Sequence, residues 1–301
     1  MTVKELFEKF DVYMNSRLKP NTYRGYKVNI NNHILPYIGD LPVADINCDT
    51  IDVLFRQLKN KGLNNTSVRY CFAVLRKALN YGVKRGYIDT NIMLSYDFPK
   101  ANSYFYNVLS EAQLKRLSSY LENDDIYPAV MLAAFYGLRK GEVLGLRLSD
   151  LDWCEDTQQY TVHIRRSVTD LPSGREVSTP KNKSSVRDIV LSEKHSERLL
   201  RYVCLRTIES NDYLCTSGMG QYLTTNRLCY RFKRALDFLK LPSVRFHDLR
   251  HSYATLMLKH GVHPKIVSSV LGHSDISTTL DIYSHVDLSV QNACLDVLNS
   301  I

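Results

Sequence analysis

Four short segments carry side chains suited to chemistry at a phosphate. The first, residues 136–146, reads YGLRKGEVLGL: the apolar run Val130–Phe135 ends at Gly137 and delivers Arg139. A guanidinium offers a planar fork of donors that matches two phosphate oxygens. Glu142, three residues on, is placed to orient it. The second, TPKNKSSVR at 179–187, sets Lys181 and Lys183 in a turn between strands, where an ammonium group can approach a phosphate and donate a proton. The third, RFHDLRH at 245–251, puts His247 and Arg250 three apart on one face of a helix start, where the dipole favours an anion. The fourth, LGHSDISTTLDIYSHV at 271–286, holds His273 and, ten residues later, Tyr283. Read singly, each has an ordinary structural explanation: a surface arginine after a helix, a lysine in a turn, one tyrosine among twenty. His247 and His251 have the spacing of a metal pair but no completing ligand set, so no metal is expected.

Taken together and in order, the segments resemble the tyrosine recombinase, or phage integrase, family. Its signature is Arg, Lys, His-x-x-Arg, His and Tyr, matched here by Arg139, Lys181, His247, Arg250, His273 and Tyr283. The wording GLRKGEVLGLRLSDLD, HDLRHSYAT and LGHSDISTTLDIYSHV also matches, and HILPYIGDLP at 33–42 is similar to the helix exit of that family's core-binding domain. The resemblance implies a mainly helical protein with a small antiparallel β-sheet: a helical, SAM-like core-binding domain and an α+β catalytic domain. It implies a site-specific recombinase in which Tyr283 forms a 3′-phosphotyrosyl link, Arg139, Arg250 and His273 stabilise the phosphate, His247 is the candidate base and Lys181 protonates the leaving 5′-oxygen. Lys183 competes with Lys181, which is preferred for its place after Thr179-Pro180. A phosphodiester is exchanged for a phosphodiester, so no ATP is needed. With Arg and Lys neutralising the phosphate, no Mg²⁺ or other cofactor is needed either.

The implied partners are double-stranded DNA recombination sites and three further copies of the chain, giving a homotetramer on DNA. Accessory DNA-bending or excision factors are compatible with that role. The tail Val286–Ile301, with Val290, Cys294 and Leu298 spaced by four, is expected to pack on a neighbouring protomer or, failing that, on its own domain. The interval from His273 to Tyr283 is one residue longer than in Xer-type members and resembles that of mobile-element integrases. The chain begins at the core-binding domain, so no arm-binding domain is expected. Alternatives are a Xer-like resolvase or invertase with the same chemistry, a DNA-binding regulator that has lost catalysis, a type IB topoisomerase and a metal-dependent nuclease. The presence of every expected catalytic residue argues against the regulator. The core-binding domain and the LGH box argue against the topoisomerase, and activity in EDTA would eliminate the nuclease.

The remaining sequence must position these groups. Its 301 residues allow two domains, and 44% hydrophobic with 23% charged residues is ordinary for a globular protein. The net charge of +8 is concentrated early: residues 1–100 hold 15 Lys/Arg against 9 Asp/Glu. A basic N-terminal module favours a polyanionic partner. Seven scattered cysteines without a CxxC pair suit a reducing compartment. No signal peptide or membrane span is visible, so a cytoplasmic, nucleoid-associated protein is expected.

Residues 1–90 predict four helices: one capped by Thr2 with Glu5, one from Pro20-Asn21 to about Leu35 stopped by Pro36, one capped by Asp49 or Thr50, and one from Asn65-Thr66 to about Arg85. Arg24 and Lys27 on the second, and Arg69 and Arg76 on the fourth, are candidate DNA contacts. Residues 91–106 read as an interdomain linker and 107–301 as the catalytic domain, opened by the capping box Ser110–Gln113. A three-stranded antiparallel sheet is predicted from Tyr160–Val168, Val177–Thr179 and Val186–Leu191, with a turn at Pro172-Ser173-Gly174. Helices follow near Ser192 and Asn226, at Asp248–His260 and at Pro264–Leu271, with Gly261 as a stop and Pro264 in a first turn.

Overall fold

The computed structural model describes residues 1–102, 107–171, 173–179, 185–217 and 221–272. Lys181, Lys183, His273, Tyr283 and the tail 286–301 lie outside the described residues. The chain divides into two compact units, Met1–Phe105 and Tyr106–Ile301.

The first unit is a helical bundle. In α1 (Val3–Asn15), Thr2 accepts from the Glu5 amide at 3.2 Å and Glu5 accepts from the Thr2 amide at 2.9 Å, closing the expected capping box. Val3, Leu6, Phe7, Phe10 and Met14 recur at helical spacing and all are buried. They meet the apolar face of α5 (Asn65–Lys84), which carries Val68, Phe72, Leu75 and Leu79. Burying one such side chain contributes about 1.5–3 kcal/mol.

The second predicted helix differs. It runs as α2 (Pro20–Asn29), widens into a π-helical turn at Ile30–Ile34 and continues as α3 (Leu35–Ile38). Pro36 therefore does not stop it but sits in the first turn of α3. Proline has no N–H to offer the preceding turn. The Asn32 carbonyl takes the Lys61 ammonium instead, at 2.6 Å. The cap of α4 (Cys48–Asn60) is Asn47, paired with Thr50, rather than Asp49 or Thr50 itself.

Residues 91–98, read as the start of a linker, pack on this unit. Asn91 donates to the Arg76 carbonyl at 3.0 Å and to Asn80 at 2.7 Å, Met93 is buried, and Tyr96 donates to Asp52 at 2.6 Å. Phe98 meets Phe72 edge-on at 5.9 Å. Amide and aromatic anchors of this kind leave no periodic trace in a sequence.

The second unit is built on α7 (Tyr127–Tyr136), a helix apolar on nearly every side and buried accordingly. Before it comes α6 (Glu111–Leu121), with the predicted box of Ser110 and Gln113. After it comes the short α8 (Lys140–Gly145). The strands form two sheets, not the single predicted one. In the first, β2 (Gln159–Ile164) lies between β1 (Leu151–Cys154) and β5 (Arg187–Val190), antiparallel to both, with Val162 opposite Leu151 and Ile189. In the second, β3 (Ser167–Leu171) pairs with β4 (Gly174–Ser178). The predicted strand 160–168 breaks at Arg165-Arg166, whose guanidinium groups reach Asp188 at 2.7 Å and Asp150 at 2.8 Å. The β1 strand was missed because its Asp, Trp and Cys lack a strand-like run.

Among the described residues of this unit, α9 (Glu193–Arg206), α10 (Thr225–Phe238), α11 (Asp248–Lys259) and α12 (Pro264–Leu271) follow. Ser192 caps α9, and its amide donates at 2.9 Å to the hydroxyl of Tyr136, the last residue of α7. Gly261 has φ +75° just past α11, and Pro264 opens α12, as expected. Among the described residues no helix is long and apolar enough to cross a membrane.

Candidate active site

Arg139, at the start of α8, and His247 and Arg250, at the start of α11, meet at one end of α7. Gly137 makes this possible. It ends α7 at φ +67°, and a Cβ there would stand 2.4 Å from Leu271 Cδ2 and 2.8 Å from Tyr253 Cδ1. Only glycine supplies both the left-handed backbone and the space. Arg139 follows at once in extended conformation, ahead of α8.

The Arg139 guanidinium is held from three sides. Nη1 donates to Glu142 Oε1 at 2.7 Å and to Ser185 Oγ at 3.2 Å, and Nη2 donates to the Gly272 carbonyl at 3.0 Å. Glu142 also accepts from the Arg139 amide at 2.9 Å, so the carboxylate orients the arginine as its spacing suggested. Glu142 is 2% exposed, and that number matters because an unpartnered carboxylate there would be very costly. Burial pushes its pKa up. The charge and hydrogen bond of Arg187, then those of Arg139, more than reverse this, and the carboxyl stays below its ordinary range.

Arg250 is buried in α11. It donates through Nη1 to the Gly137 carbonyl and through Nη2 to the Leu271 carbonyl at 2.7 Å. Burial, then the charge of Arg139, lowers its pKa to about 9, which leaves it charged at neutral pH. His247 stands at the N-terminal boundary of α11, where Asp248 accepts from Arg245 through backbone and side chain. Desolvation lowers the His247 pKa. Arg250, Arg139 and Arg245 add to this, while Asp248 opposes it. A neutral imidazole beside two cations is the form a general base requires.

Arg139, Glu142, Ser185 and His247 line a cavity of about 430 Å³, together with Ser167 and Thr225. The His247 and His251 rings meet edge-on at 5.3 Å. Among the described residues, no group of three or more His, Cys, Asp or Glu is placed to hold a metal. Lys181, His273 and Tyr283 lie outside the described residues, although Gly272, bound to Arg139, immediately precedes His273 in the sequence.

The four candidate DNA contacts lie in the first unit. Arg24 is exposed. Lys27 pairs with Asp11 at 3.1 Å. Arg69 donates to the Pro99 carbonyl at 2.8 Å, and both Arg69 and Arg76 stand over the Phe98 ring. Sequence reading passed over Arg187, which lies in the quoted turn segment yet binds Glu142 and the Val270 carbonyl, 45 and 83 residues away.

The chain is thus a helical bundle followed by an α+β unit, with Arg139, His247 and Arg250 clustered at the end of a buried helix. The phage integrase family matches residues 107–289, and the phage integrase N-terminal SAM-like domain matches residues 2–53. The chain belongs to the phage integrase family.

Its curated relatives include a XerC-like tyrosine recombinase from Caldanaerobacter subterraneus, 26% identical over 97% of this chain and 81% of the relative. The ICEBs1 integrase of Bacillus subtilis is also 26% identical, over 94% and 78%. Among solved structures, the Tn1549 transposon integrase in complex with transposon right end DNA aligns over 99% of this chain and all of that one, with TM-score 0.83 and 23% identity. A lambda integrase dimer bound to a core site aligns over 94% and 77%, with TM-score 0.69 and 18% identity. The protein is thus a tyrosine-type site-specific recombinase, an enzyme that breaks and rejoins DNA strands.

Proposed function

We propose that this recombinase moves a mobile element by exchanging strands between two double-stranded DNA sites, with Tyr283 as nucleophile. The observation that carries the reading is the convergence of Arg139, Arg250 and a neutral His247, with Gly272 leading directly to His273. The relatives named ICEBs1 integrase and transposase from transposon Tn916 favour the mobile-element role. The matched structures with DNA support a DNA partner.

In the proposed step the Tyr283 oxygen attacks phosphorus in line and the bond to the 5′-oxygen breaks. A free phenol has a pKa of about 10, so it needs a base, and His247 takes the proton. Arg139 and Arg250 stabilise the charge that builds on the non-bridging oxygens, aided by His273. Preorganised donors of this kind contribute about 3–4 kcal/mol each. Lys181 gives a proton to the leaving 5′-oxygen. The product is a 3′-phosphotyrosyl diester with a free 5′-hydroxyl, and attack by a partner strand's hydroxyl reverses the chemistry and completes the exchange.

Four copies on two sites, with the tail 286–301 passed between neighbours, complete the proposed assembly. Arg24, Lys27, Arg69 and Arg76 are the proposed phosphate contacts of the first unit. With Lys27 paired to Asp11 and Arg69 bound to Pro99, Arg24 and Arg76 are the stronger pair.

The test is trapping on a nicked suicide duplex carrying the element's end. The wild-type chain should form an adduct that survives denaturant, and Tyr283→Phe should form none. An equal yield from that variant would overturn the nucleophile assignment. Lys181→Ala should cleave slowly and recover on a 5′-phosphorothiolate, whose leaving group needs no proton. Recovery by Lys183→Ala instead would move the role to Lys183.

A further inference from the structure

Three consecutive backbone carbonyls close α12, and a different arginine takes each. Arg187 Nε donates to Val270 O at 2.6 Å, Arg250 Nη2 to Leu271 O at 2.7 Å and Arg139 Nη2 to Gly272 O at 3.0 Å. A helix leaves its last carbonyls without intrahelical partners and carries partial negative charge there. Gly272, left-handed at φ +65°, already turns the chain and donates to Ser269 O at 3.0 Å. Such carbonyls are ordinarily met by water or a cap, whereas here each is met by a guanidinium. Two of them belong to the phosphate pair. The third, Arg187, is outside the family's signature residues.

The other donors of Arg187 point the same way. Nη2 reaches Glu142 Oε2 at 3.1 Å, while Arg139 holds Oε1 of the same carboxylate. Nη1 reaches the Ser185 carbonyl at 3.0 Å, while Arg139 holds the Ser185 hydroxyl. Each of Arg187's bridging partners is thus continued by one that Arg139 uses. The Arg187 side chain is 9% exposed and does not line the cavity that Arg139 and His247 share, so it is placed behind the site and not in it.

We propose that Arg187 is a positioning residue for strand cleavage: it fixes Glu142, Ser185 and the end of α12, the surfaces against which the Arg139 guanidinium is set. This rests on the reading of Arg139 as a ligand of the scissile phosphate. The three contacts leave from Nε, Nη1 and Nη2 in different directions. A lysine, with one nitrogen on a flexible stem, can keep the charge beside Glu142 but not the frame.

The experiment compares wild type, Arg187→Ala, Arg187→Lys, Glu142→Gln and the Arg187→Ala/Glu142→Gln double variant. Each is assayed for single-turnover cleavage of the nicked duplex and for equilibrium binding to it. A misplacement of about 1 Å at a reacting centre can cost about 100-fold, so Arg187→Ala should slow cleavage by roughly 10- to 100-fold with much less change in Kd. The double variant should be little slower than the worse single, because both act through one carboxylate. Arg187→Lys should be intermediate in rate, and because it keeps the buried charge it also controls for loss of the fold.

The discriminating substrate carries a methylphosphonate at the scissile position. It is neutral in the ground state and builds one negative charge fewer in the transition state, so it depends less on Arg139 and most of the Arg187 deficit should disappear on it. Unchanged cleavage by Arg187→Ala, a deficit that persists in full on the methylphosphonate, or a Kd that weakens in step with the rate would overturn the role. If wild type forms no covalent adduct, the reading of the site falls. If wild type forms one and Arg187→Ala matches its rate, only this inference falls.

Discussion

Gly137→Ala should be a strongly damaging single-methyl change in the second unit. Two separate costs fall on that position. The backbone has φ +67°, where a Cβ costs about 1–2 kcal/mol. The added carbon would also sit 2.4 Å from Leu271 Cδ2 and 2.8 Å from Tyr253 Cδ1, both on buried residues. Overpacking of this kind adds about 1–3 kcal/mol. The sum is about 2–5 kcal/mol, which in a unit of this size lowers Tm by roughly 4–20 °C. Gly261→Ala is the matched control: φ is +75°, but a Cβ there meets nothing within 4 Å, so only the backbone cost remains. The assay is thermal melting of both variants, followed by cleavage at a temperature where both are folded. Cleavage by Gly137→Ala should fall even there, because its carbonyl holds Arg250 and its neighbours lead to Arg139. Equal melting shifts for the two variants would refute the steric argument.

Further expectations follow from the charged groups. Glu142→Gln leaves Arg139 and Arg187 without their shared counter-charge; breaking a buried ion pair costs about 3–5 kcal/mol, so both Tm and cleavage should drop, and a stable, fully active variant would contradict the geometry. Because the His247 pKa is lowered, its neutral, base-competent form persists to lower pH. The acid limb of the cleavage rate should therefore fall below pH 6.5, the ordinary histidine value, and a half-point above 7 would remove His247 as the base. His163 bridges Asp188 at 2.9 Å and Asp152 at 2.7 Å, and these bonds raise its pKa. A raised pKa stabilises the fold fully below the unfolded value, near 6.5, and the gain fades as pH climbs through the folded value. Wild type should therefore exceed His163→Ala in Tm by more at pH 6 than at pH 9, and the reverse order would contradict the pairing.

What could be read without coordinates followed the range of the interactions. Caps formed by residues three apart, such as Thr2 with Glu5 and Ser110 with Gln113, are local, and they appear where the sequence put them. Arg139, His247 and Arg250 were legible only as members of an ordered set that resembles the family's signature, since each stretch alone has an ordinary structural explanation. The π-helical turn before Pro36 was not, and the carbonyl it frees at Asn32 finds its partner in Lys61, 29 residues away. The second sheet was hidden because two arginines in the middle of a strand-like run find carboxylates on different elements. Arg187 was hidden for the same reason: its type was visible, but its meaning lies in Glu142 and Val270, far along the chain.

The central claim is that one tyrosine becomes covalently joined to DNA. Trapped adduct should be digested with protease and nuclease and the modified peptide sequenced by mass spectrometry. A nucleotide is expected on Tyr283, joined through its 3′-phosphate, and on no other residue. A nucleotide on another side chain, or one joined through a 5′-phosphate, would contradict the claim.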